Sequence, residues 1–370
     1  MDAIGIINLY TDQESLSDLT QHRPLAAVPF AGRYRLIDFP LSNMVNAGIS
    51  NVGIMVQHKY RSLMDHLRSG KEWDLARKRE GLAILPPAYA NQPSGKQFGD
   101  VENFQANLDY ILRSNHKYVV IAGASMVCNI DLGTVLSYHK LRQADITVVY
   151  SEQAQGQDGV QRTLLAVDGD NRVIDMQVNS GKAPGQKLSM EMYVMERQLL
   201  IDLIENCAAH GEYDFVKHCL IKNLTRLKIY GYQHKGYLAH INSTQSYFKH
   251  NMDLLTPEVW QELFFTPGLI YTKVKDEPPA KYKTEARVIN SLVANGCYIE
   301  GTVENSILFR GVRVEKGAHI KDCIVMQKGL IAEGAMLQNV ICDKDVQVLA
   351  GRSLRGEPSY PIIIKKGMVI

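Results

Sequence analysis

The chain has 370 residues, of which 45% are hydrophobic and 22% charged, a composition typical of a globular protein with a large core. At this length, two domains are more common than one. The 41 basic and 39 acidic side chains leave a formal net charge of +2. This balance gives no reason to expect nucleic acid or an anionic membrane as the main partner.

Hydropathy and cysteine usage indicate the compartment. The apolar runs are shorter than the roughly 20 residues that span a bilayer. The first residues carry no basic segment ahead of their apolar run, as a secretory signal would. The six cysteines form no Cys-x-x-Cys pair and mostly lie in apolar stretches. These features predict a cytoplasmic protein with reduced, buried thiols.

Residues 1–255 alternate short apolar strands with longer amphipathic segments. The pattern predicts strands at 4–7, 51–56, 118–122 and 146–150, and helices at 60–68, 104–113 and 135–143. Strands and helices in this order predict an α/β domain of Rossmann-like type, with a mostly parallel sheet and helices on both faces.

The loop after the first predicted strand is unusual for such a domain. Nucleotide-binding α/β proteins place glycines there, because backbone N–H groups must close around a phosphate. The segment Tyr10 to Leu16 has no glycine and carries two carboxylates, Asp12 and Glu14. The sequence therefore predicts a nucleotide-binding fold without its phosphate loop.

Beyond Pro278-Pro279 the helical period ends and a 17-residue repeat begins. Four sets of positions keep this step: Val303, Ile320 and Leu337; Ile307, Ile324 and Ile341; Asn305, Asp322 and Asn339; Gly317, Gly334 and Gly351. The repeat predicts a parallel β-helix over 288–370, joined to the α/β domain by a linker at 256–287. An ordinary β-sandwich would need hairpin turns, and Asn295-Gly296 is the only such dipeptide in this part. The charged pairs at 315–316, 321–322 and 344–345 are interpreted as the outer surface of the coil.

The sequence RPLAAVPFAGRYRLIDFPLSN, at residues 23–43, closely resembles a signature of glucose-1-phosphate adenylyltransferase (ADP-glucose pyrophosphorylase). The resemblance continues in the same order through EWDL (72–75), LPP (85–87), PPAKY (278–282), NSLV (290–293) and GC (296–297). It covers nearly the whole chain. It implies a nucleotidyltransferase α/β domain followed by a left-handed β-helix.

The chain departs from this family where the family carries its chemistry. The family's phosphate loop, Gly-Gly-x-Gly-Thr-Arg-Leu, corresponds to YTDQESL at 10–16. By the resemblance, the substituted catalytic positions are Tyr10, Thr11, Gln13, Ser15, Leu25, Ser125, Asn179, His218 and His240. Ser125 and His240 replace the two metal-binding carboxylates, and a hydroxyl and an imidazole are poor ligands for Mg²⁺.

The resemblance and these departures together predict a chain with a degenerate active site that no longer catalyses. The hypothesis is a regulatory subunit that assembles with a catalytic glucose-1-phosphate adenylyltransferase, in a probable heterotetramer, and modulates ADP-glucose synthesis for glycogen. No cofactor is expected for this chain, because Mg²⁺ would belong to the catalytic partner. Two alternatives stay open: a weakly active or altered sugar-phosphate nucleotidyltransferase, and a sensor that binds a sugar phosphate or nucleotide.

Two side-chain sets invite a binding role. The resemblance implies that Arg33 and Arg35 are candidate ligands for an anionic sugar-phosphate effector, because the family's equivalent basic segment lies near its effector site. Guanidinium pairs with phosphate in bidentate fashion, and a solvated surface is the alternative. His218 and His240, with Cys219, suggest a metal site, but hydrogen-bonded structural roles are the favoured interpretation, and no metal site is predicted.

Overall fold

The computed structural model describes residues 1–10, 16–87, 99–152, 162–178 and 187–370, apart from the side chain of Ser17. The chain clusters into two compact units. The first unit comprises Met1–Gln13, Phe39–Leu238 and Phe265–Tyr271, and the second comprises Glu14–Asp38, Ala239–Phe264 and Thr272–Ile370. The units interleave along the chain, and the linear boundaries at 255 and 287 stay a prediction.

The secondary structure follows in chain order. The α-helices are α1 (Ser17–Thr20), α2 (Asp38–Asn46), α3 (Arg61–Leu67), α4 (Asp100–Ala106), α5 (Leu108–Leu112), α6 (Leu132–Leu141), α7 (Arg197–Ala209), α8 (Thr244–Asp253) and α9 (Pro257–Phe265). The strands up to residue 240 are β1 (Ala3–Asn8), β2 (Pro29–Phe30), β3 (Tyr34–Arg35), β4 (Asn51–Met55), β5 (Gly81–Leu85), β6 (Tyr118–Ala122), β7 (Met126–Val127), β8 (Ile146–Ser151), β9 (Thr163–Val167), β10 (Val173–Val178), β11 (Lys187–Glu196), β12 (Ile229–Gln233) and β13 (Ala239–His240). The later strands are β14 (Lys281–Tyr282), β15 (Arg287–Ile289), β16 (Leu292–Val293), β17 (Tyr298–Ile299), β18 (Thr302–Glu304), β19 (Ile307–Leu308), β20 (Arg313–Val314), β21 (His319–Lys321), β22 (Ile324–Val325), β23 (Leu330–Ile331), β24 (Met336–Gln338), β25 (Val340–Cys342), β26 (Gln347–Val348), β27 (Ser353–Arg355) and β28 (Ile362–Ile364).

A nine-stranded sheet forms the centre of the first unit. Its main path is β10-β9-β11-β6-β1-β4-β5, with β8 paired to β11 and β12 paired to β8. The strands β6, β1, β4 and β5 are parallel, whereas β11 runs antiparallel to both β6 and β8. Every residue of β1, β4 and β6 is buried, which is why these strands are continuous apolar runs in the sequence. The strands predicted there and at 146–150 are confirmed.

The helix predicted at 104–113 is interrupted. It forms two helices, α4 and α5, separated by Asn107, whose φ of −108° is not helical. The Asn107 Nδ2 donates to the carbonyl oxygens of Asn103, at 2.9 Å, and of Pro86, at 3.0 Å. An asparagine that bonds backbone carbonyls in this way competes with the helical hydrogen-bond ladder, and the helix breaks.

The second unit contains the left-handed parallel β-helix. Its strands form three five-stranded sheets, in the orders β14-β17-β20-β23-β26, β15-β18-β21-β24-β27 and β16-β19-β22-β25-β28, and neighbouring strands are parallel throughout. Val303, Ile320 and Leu337 stack in register and are at most 2% exposed. The predicted repeat is therefore confirmed as successive turns of one coil.

The corners of the coil explain its polar and glycine positions. Asn305, Asp322 and Asn339 have φ values of 43°, 50° and 51°. The glycines of the repeat have φ values of 67° to 69°: Gly317, Gly334 and Gly351. This left-handed region is accessible to glycine at no steric cost and is tolerated best among other residues by Asn and Asp.

The segment 256–287, expected as a linker, contains the helix α9 and the short strand β14. In the described part of the chain, none of the helices has the length and apolar character that crossing a membrane requires.

Candidate functional site

In the first unit, the carboxyl end of β1 is tied to the start of α4. The Asn8 Oδ1 accepts a hydrogen bond from the Tyr10 N–H at 3.1 Å, and its Nδ2 lies 3.4 Å from an Asp100 carboxylate oxygen. The other Asp100 oxygen accepts the Phe215 N–H at 2.8 Å. Tyr10, the first of the substituted loop positions, is thus held by a side chain of the strand it follows.

Asp100 is a buried acid at this junction. Burial, reinforced by the nearby Asp214 charge, raises the pKa of its carboxyl to about 7. The hydrogen bond from the Phe215 N–H favours the ionised form and opposes this increase. An acid of this kind carries a proton at mildly acidic pH. No sequence motif singles out this residue.

His218 has a structural role of the kind favoured from the sequence. It lies in a π-helical turn, Phe215–Leu220, whose Asp214 side chain accepts the Lys217 N–H. The His218 Nδ1 accepts the Asp214 N–H at 3.0 Å, and its ring packs edge-on against Tyr213, with ring centres 5.4 Å apart. One ring nitrogen is therefore occupied by the backbone of its own turn.

The other described substituted positions are Ser125, Leu25 and His240. Ser125 follows β6 and is 9% exposed, and Leu25 is 3% exposed in a 3₁₀ turn, Leu25–Ala27. Ser125 belongs to the first unit, whereas Leu25 and His240 belong to the second. The predicted positions Thr11, Gln13, Ser15 and Asn179 lie outside the described residues.

The residues at the family's metal positions do not fit Mg²⁺. Ser125 offers a hydroxyl, and the His240 Nδ1 lies 3.2 Å from the Asn242 amide nitrogen. Mg²⁺ is held best by charged carboxylate oxygens, whereas the Ser125 hydroxyl is a neutral oxygen donor and the His240 imidazole is a nitrogen donor, so neither replaces a carboxylate. Over the described residues, no group of three or more His, Cys, Asp or Glu side chains is placed to hold a metal ion.

The second unit holds the two predicted effector ligands on a short hairpin. Strands β2 and β3 pair antiparallel and present Arg33 and Arg35. Arg33 is exposed, with its guanidinium 5.5 Å from the Tyr34 ring centre, and Arg35 is half-buried. The buried Asp38 accepts the Arg35 N–H at 2.9 Å, which fixes the backbone at the end of the hairpin.

Helix α8 supports the other end of the hairpin. The Tyr247 hydroxyl donates to the Pro29 carbonyl oxygen at 2.6 Å, and the Asn251 Oδ1 accepts the Ala31 N–H at 3.1 Å. Ser243 is the N-cap of this helix, and its hydroxyl accepts a hydrogen bond from the Ser246 N–H at 3.0 Å. The arginines therefore project from a backbone held by buried hydrogen bonds.

Lys344 of the β-helix belongs to the same charged cluster. Its neighbour Asp343 forms a buried ion pair with Arg23, with the two side chains 4% and 6% exposed. Burial, together with the positive charges of Arg35 and Arg23, lowers the pKa of Lys344 to about 7, whereas Asp343 acts in the opposite direction. Of the pair interpreted as outer surface, Asp345 is exposed, whereas Lys344 is half-buried.

Two further cations couple to the arginines. Desolvation lowers the pKa of Lys275, and Arg310 and Arg35 add to the effect. Burial lowers the pKa of Arg310, and Arg33 adds to it, while Glu277 and Asp38 oppose the change. Arg310 is 9% exposed and donates to the Lys273 carbonyl oxygen at 3.4 Å.

We define the basic cluster as these six residues: Arg23, Arg33, Arg35, Lys275, Arg310 and Lys344. The carboxylates that act on it are Asp38, Glu277 and Asp343. Positive charge is in excess, and repulsion from neighbouring cations adds to the effect of burial in lowering the pKa values of Lys275, Arg310 and Lys344. A bound anion would relieve that repulsion, so the charge of the cluster is suited to an anionic ligand.

The fold and these sites define a nucleotidyltransferase-type α/β protein that continues into a hexapeptide-repeat β-helix. Residues 14–255 match the nucleotidyl transferase family, and residues 278–358 match the GlmU-like, C-terminal hexapeptide family.

Comparison with curated proteins narrows this class. The chain is 43% identical over 366 residues to the glycogen biosynthesis protein GlgD of Bacillus subtilis (strain 168), covering 99% of this chain and 96% of the relative. It is 44% identical over 367 residues to GlgD of Geobacillus stearothermophilus, with the same coverage. It is 30% identical over 353 residues to the glucose-1-phosphate adenylyltransferase of Bacillus cereus (strain Q1), covering 94% and 93%. The chain therefore belongs to the nucleotidyl transferase family, in the group that contains the GlgD proteins and the glucose-1-phosphate adenylyltransferases.

Proposed function

We propose that the chain serves glycogen biosynthesis as a non-catalytic regulatory subunit. It assembles with a catalytic glucose-1-phosphate adenylyltransferase, in a mixed tetramer, and modulates the partner's synthesis of ADP-glucose. The observation that carries this proposal is the pair of substitutions at Ser125 and His240, which stand where the family resemblance places metal-binding carboxylates.

The physical argument rests on how nucleotidyl transfer is catalysed. The protein contributes positioning of the phosphates and stabilisation of their developing charge, with little covalent chemistry of its own. Loss of the metal ligands removes several kcal/mol of that stabilisation. The buried Leu25, in place of the family's lysine, removes a cation as well. The chain keeps the fold of the family after such losses, which supports a role through contacts with a partner. Those contacts would favour the partner's active conformation.

The basic cluster extends the proposal to an effector. Arg33 and Arg35, held by α8 and Asp38, would pair with the phosphate of a sugar phosphate, and Lys344 would gain a proton as the anion binds. The effector's influence on the partner would then pass through this chain. Mg²⁺ has no proposed role in this chain and would act only in the partner.

The first experiment measures ADP-glucose synthesis in three samples: this chain alone, a catalytic homologue from the same source alone, and the two co-expressed. We expect no synthesis by this chain alone and a raised rate or altered effector response in the mixture. Synthesis by this chain alone, abolished by Ser125→Ala or His240→Ala, would support the altered-enzyme alternative instead.

A second experiment separates the effector role from assembly. Arg35→Ala should weaken binding of glucose 6-phosphate by about tenfold or more, because a charge-assisted pair is lost. Arg352→Ala, at an exposed arginine of the β-helix, is the matched control and should leave the affinity unchanged. Equal effects of the two variants would show that the cluster is only a charged surface.

A further inference from the structure

Two cysteines of the first unit lie side by side in the core. Cys207 is in the last turn of α7, and Cys219 is in the π-helical turn Phe215–Leu220. Their sulfur atoms are 3.3 Å apart, and the side chains are 2% and 0% exposed. Twelve residues of chain separate them, so the contact comes from the packing of the turn against the helix.

From this geometry we propose that Cys207 and Cys219 form a peroxide-sensitive dithiol, which a hydroperoxide converts to an intramolecular disulfide. The conversion shortens the sulfur–sulfur distance from 3.3 Å to about 2.05 Å. The two sulfur atoms must therefore approach by about 1.3 Å, a movement that rotation of the side chains and a shift of the packed turn toward the helix would share.

The surroundings assign the two sulfurs different roles. The hydrogen bond between the two thiols lowers the pKa of Cys207, against the opposing effect of burial. The same interaction raises the pKa of Cys219, and burial adds to that increase. The carboxylate of Glu212, paired with Lys222, opposes ionisation of Cys207 without reversing the direction. Cys207, which is also the slightly more exposed of the two sulfurs, is assigned as the nucleophile and Cys219 as the resolving thiol.

The reaction balances with hydrogen peroxide as the only co-reactant. The Cys207 thiolate attacks one peroxide oxygen and the O–O bond breaks, which gives a sulfenic acid and a hydroxide. The hydroxide takes up the proton that the Cys207 thiol released and becomes one water. The Cys219 sulfur then attacks the Cys207 sulfur, the S–O bond breaks, and the departing hydroxide takes the Cys219 proton as a second water. Two thiols are oxidised and one peroxide is reduced.

The other thiols are different in kind. Burial raises the pKa of Cys128 and of Cys323 to about 12, and of Cys297 to about 11. The pKa of Cys342 is also raised by burial. These four thiols provide an internal control, because they resist oxidation while the protein stays folded.

The turn that moves is joined to the start of α4. The Val101 N–H bonds the Tyr213 carbonyl oxygen at 3.2 Å, and the Phe215 N–H bonds Asp100 at 2.8 Å. A shift of the turn toward α7 strains these two bonds. Oxidation therefore weakens the hydrogen bonds at Asp100, which also contacts Asn8 at the end of β1.

The test treats the folded, full-length chain with increasing hydrogen peroxide, blocks remaining thiols, and digests it with trypsin without reduction. Cleavage after Lys217 places Cys207 in peptide 198–217 and Cys219 in peptide 218–222, so the disulfide joins two separate peptides. We expect this linked pair at doses that leave the other four cysteines as thiols. We also expect exchange of the Phe215 amide hydrogen to become about tenfold faster, as the bond to Asp100 weakens.

Two variants check the assigned roles. Cys219→Ser should leave a sulfenic acid on Cys207 that dimedone traps, whereas Cys207→Ser should leave Cys219 as an unreacted thiol. The proposal is overturned if no linked peptide forms, if the other four cysteines react at the same dose, or if Cys219 is oxidised in Cys207→Ser. Because the wild-type chain alone gives the primary result, neither a misfolded variant nor failure of the regulatory role alters the outcome.

Discussion

Replacing Lys344 with methionine removes one charge from the basic cluster and keeps a side chain of similar length. In the folded chain the pKa of this lysine is lowered to about 7, against 10.5 for the unfolded chain, because burial, Arg35 and Arg23 disfavour its charged form. Between these two values the unfolded state holds more protons than the folded state, so the free energy of unfolding rises with pH. The cost of burying the charge is fully felt below pH 7 and is relieved as the pH increases toward 10.5.

The magnitude follows from the two pKa values. One proton contributes a slope of at most about 1.4 kcal/mol per pH unit, which amounts to about 2 kcal/mol of added stability between pH 7 and pH 9. Lys344→Met should lack this increase and should be more stable than the wild type at pH 6. Urea unfolding followed by the fluorescence of Trp260, in a Trp73→Phe background, reports the second unit alone, because these are the two tryptophans of the chain.

The control is Lys366→Met, at an exposed lysine of the same unit. The reasoning fails if the stability difference between wild type and Lys344→Met is constant from pH 6 to pH 9, or if Lys366→Met gives the same trend. Added phosphate should reduce the difference at pH 6, because an anion in the cluster favours the protonated lysine.

Three other variants probe the fold. Asp100→Asn should flatten the pH dependence of the melting temperature between about pH 4 and pH 7. In this window the folded wild type still holds a proton that the unfolded chain has lost, because the carboxyl pKa is raised to about 7. The stability of the wild type therefore falls as the pH rises through the window. Gly99→Ala should destabilise the first unit strongly in thermal unfolding, because the new Cβ would lie 1.7 Å from a backbone carbonyl oxygen, whereas Gly169→Ala meets nothing within 4 Å and should be nearly neutral. Leu337→Ala should lower the free energy of unfolding by about 2–5 kcal/mol in urea titrations, while Met336→Ala, at an outward side chain that is 53% exposed, should change it by less than about 0.5 kcal/mol.

Much of the fold can be predicted because its determinants are local. The 17-residue repeat predicts the β-helix directly, because each turn needs apolar side chains that point inward and residues at its corners that adopt the left-handed backbone conformation. The buried strands of the first unit read as apolar runs for the same reason. The break at Asn107 is not predictable from the local pattern, because part of its cause, the Pro86 carbonyl oxygen, lies 21 residues away.

The candidate site is only partly encoded in local patterns. Arg33 and Arg35 were found through the family signature that surrounds them. Lys275, Arg310 and Lys344 come from separate segments, and only folding brings them together. The Lys344-Asp345 pair has the pattern of a solvated corner, and burial of Lys344 depends on what covers that turn. The proximity of Cys207 and Cys219 likewise depends on packing across a turn, so a count of cysteines and spacings does not reveal it.

The regular stacking of the β-helix also bears on how the second unit folds. Each strand bonds to the strand one turn earlier, so the coil is a row of similar units, each stabilised by its immediate neighbours. Each new turn requires closure of a short loop, and the conformational entropy lost in that closure is similar at every step. A coil of this kind grows by addition of successive turns to an existing one. A destabilising change in the last turn should therefore fray the C-terminal end, whereas the same change in a central turn should divide the coil into two shorter stacks.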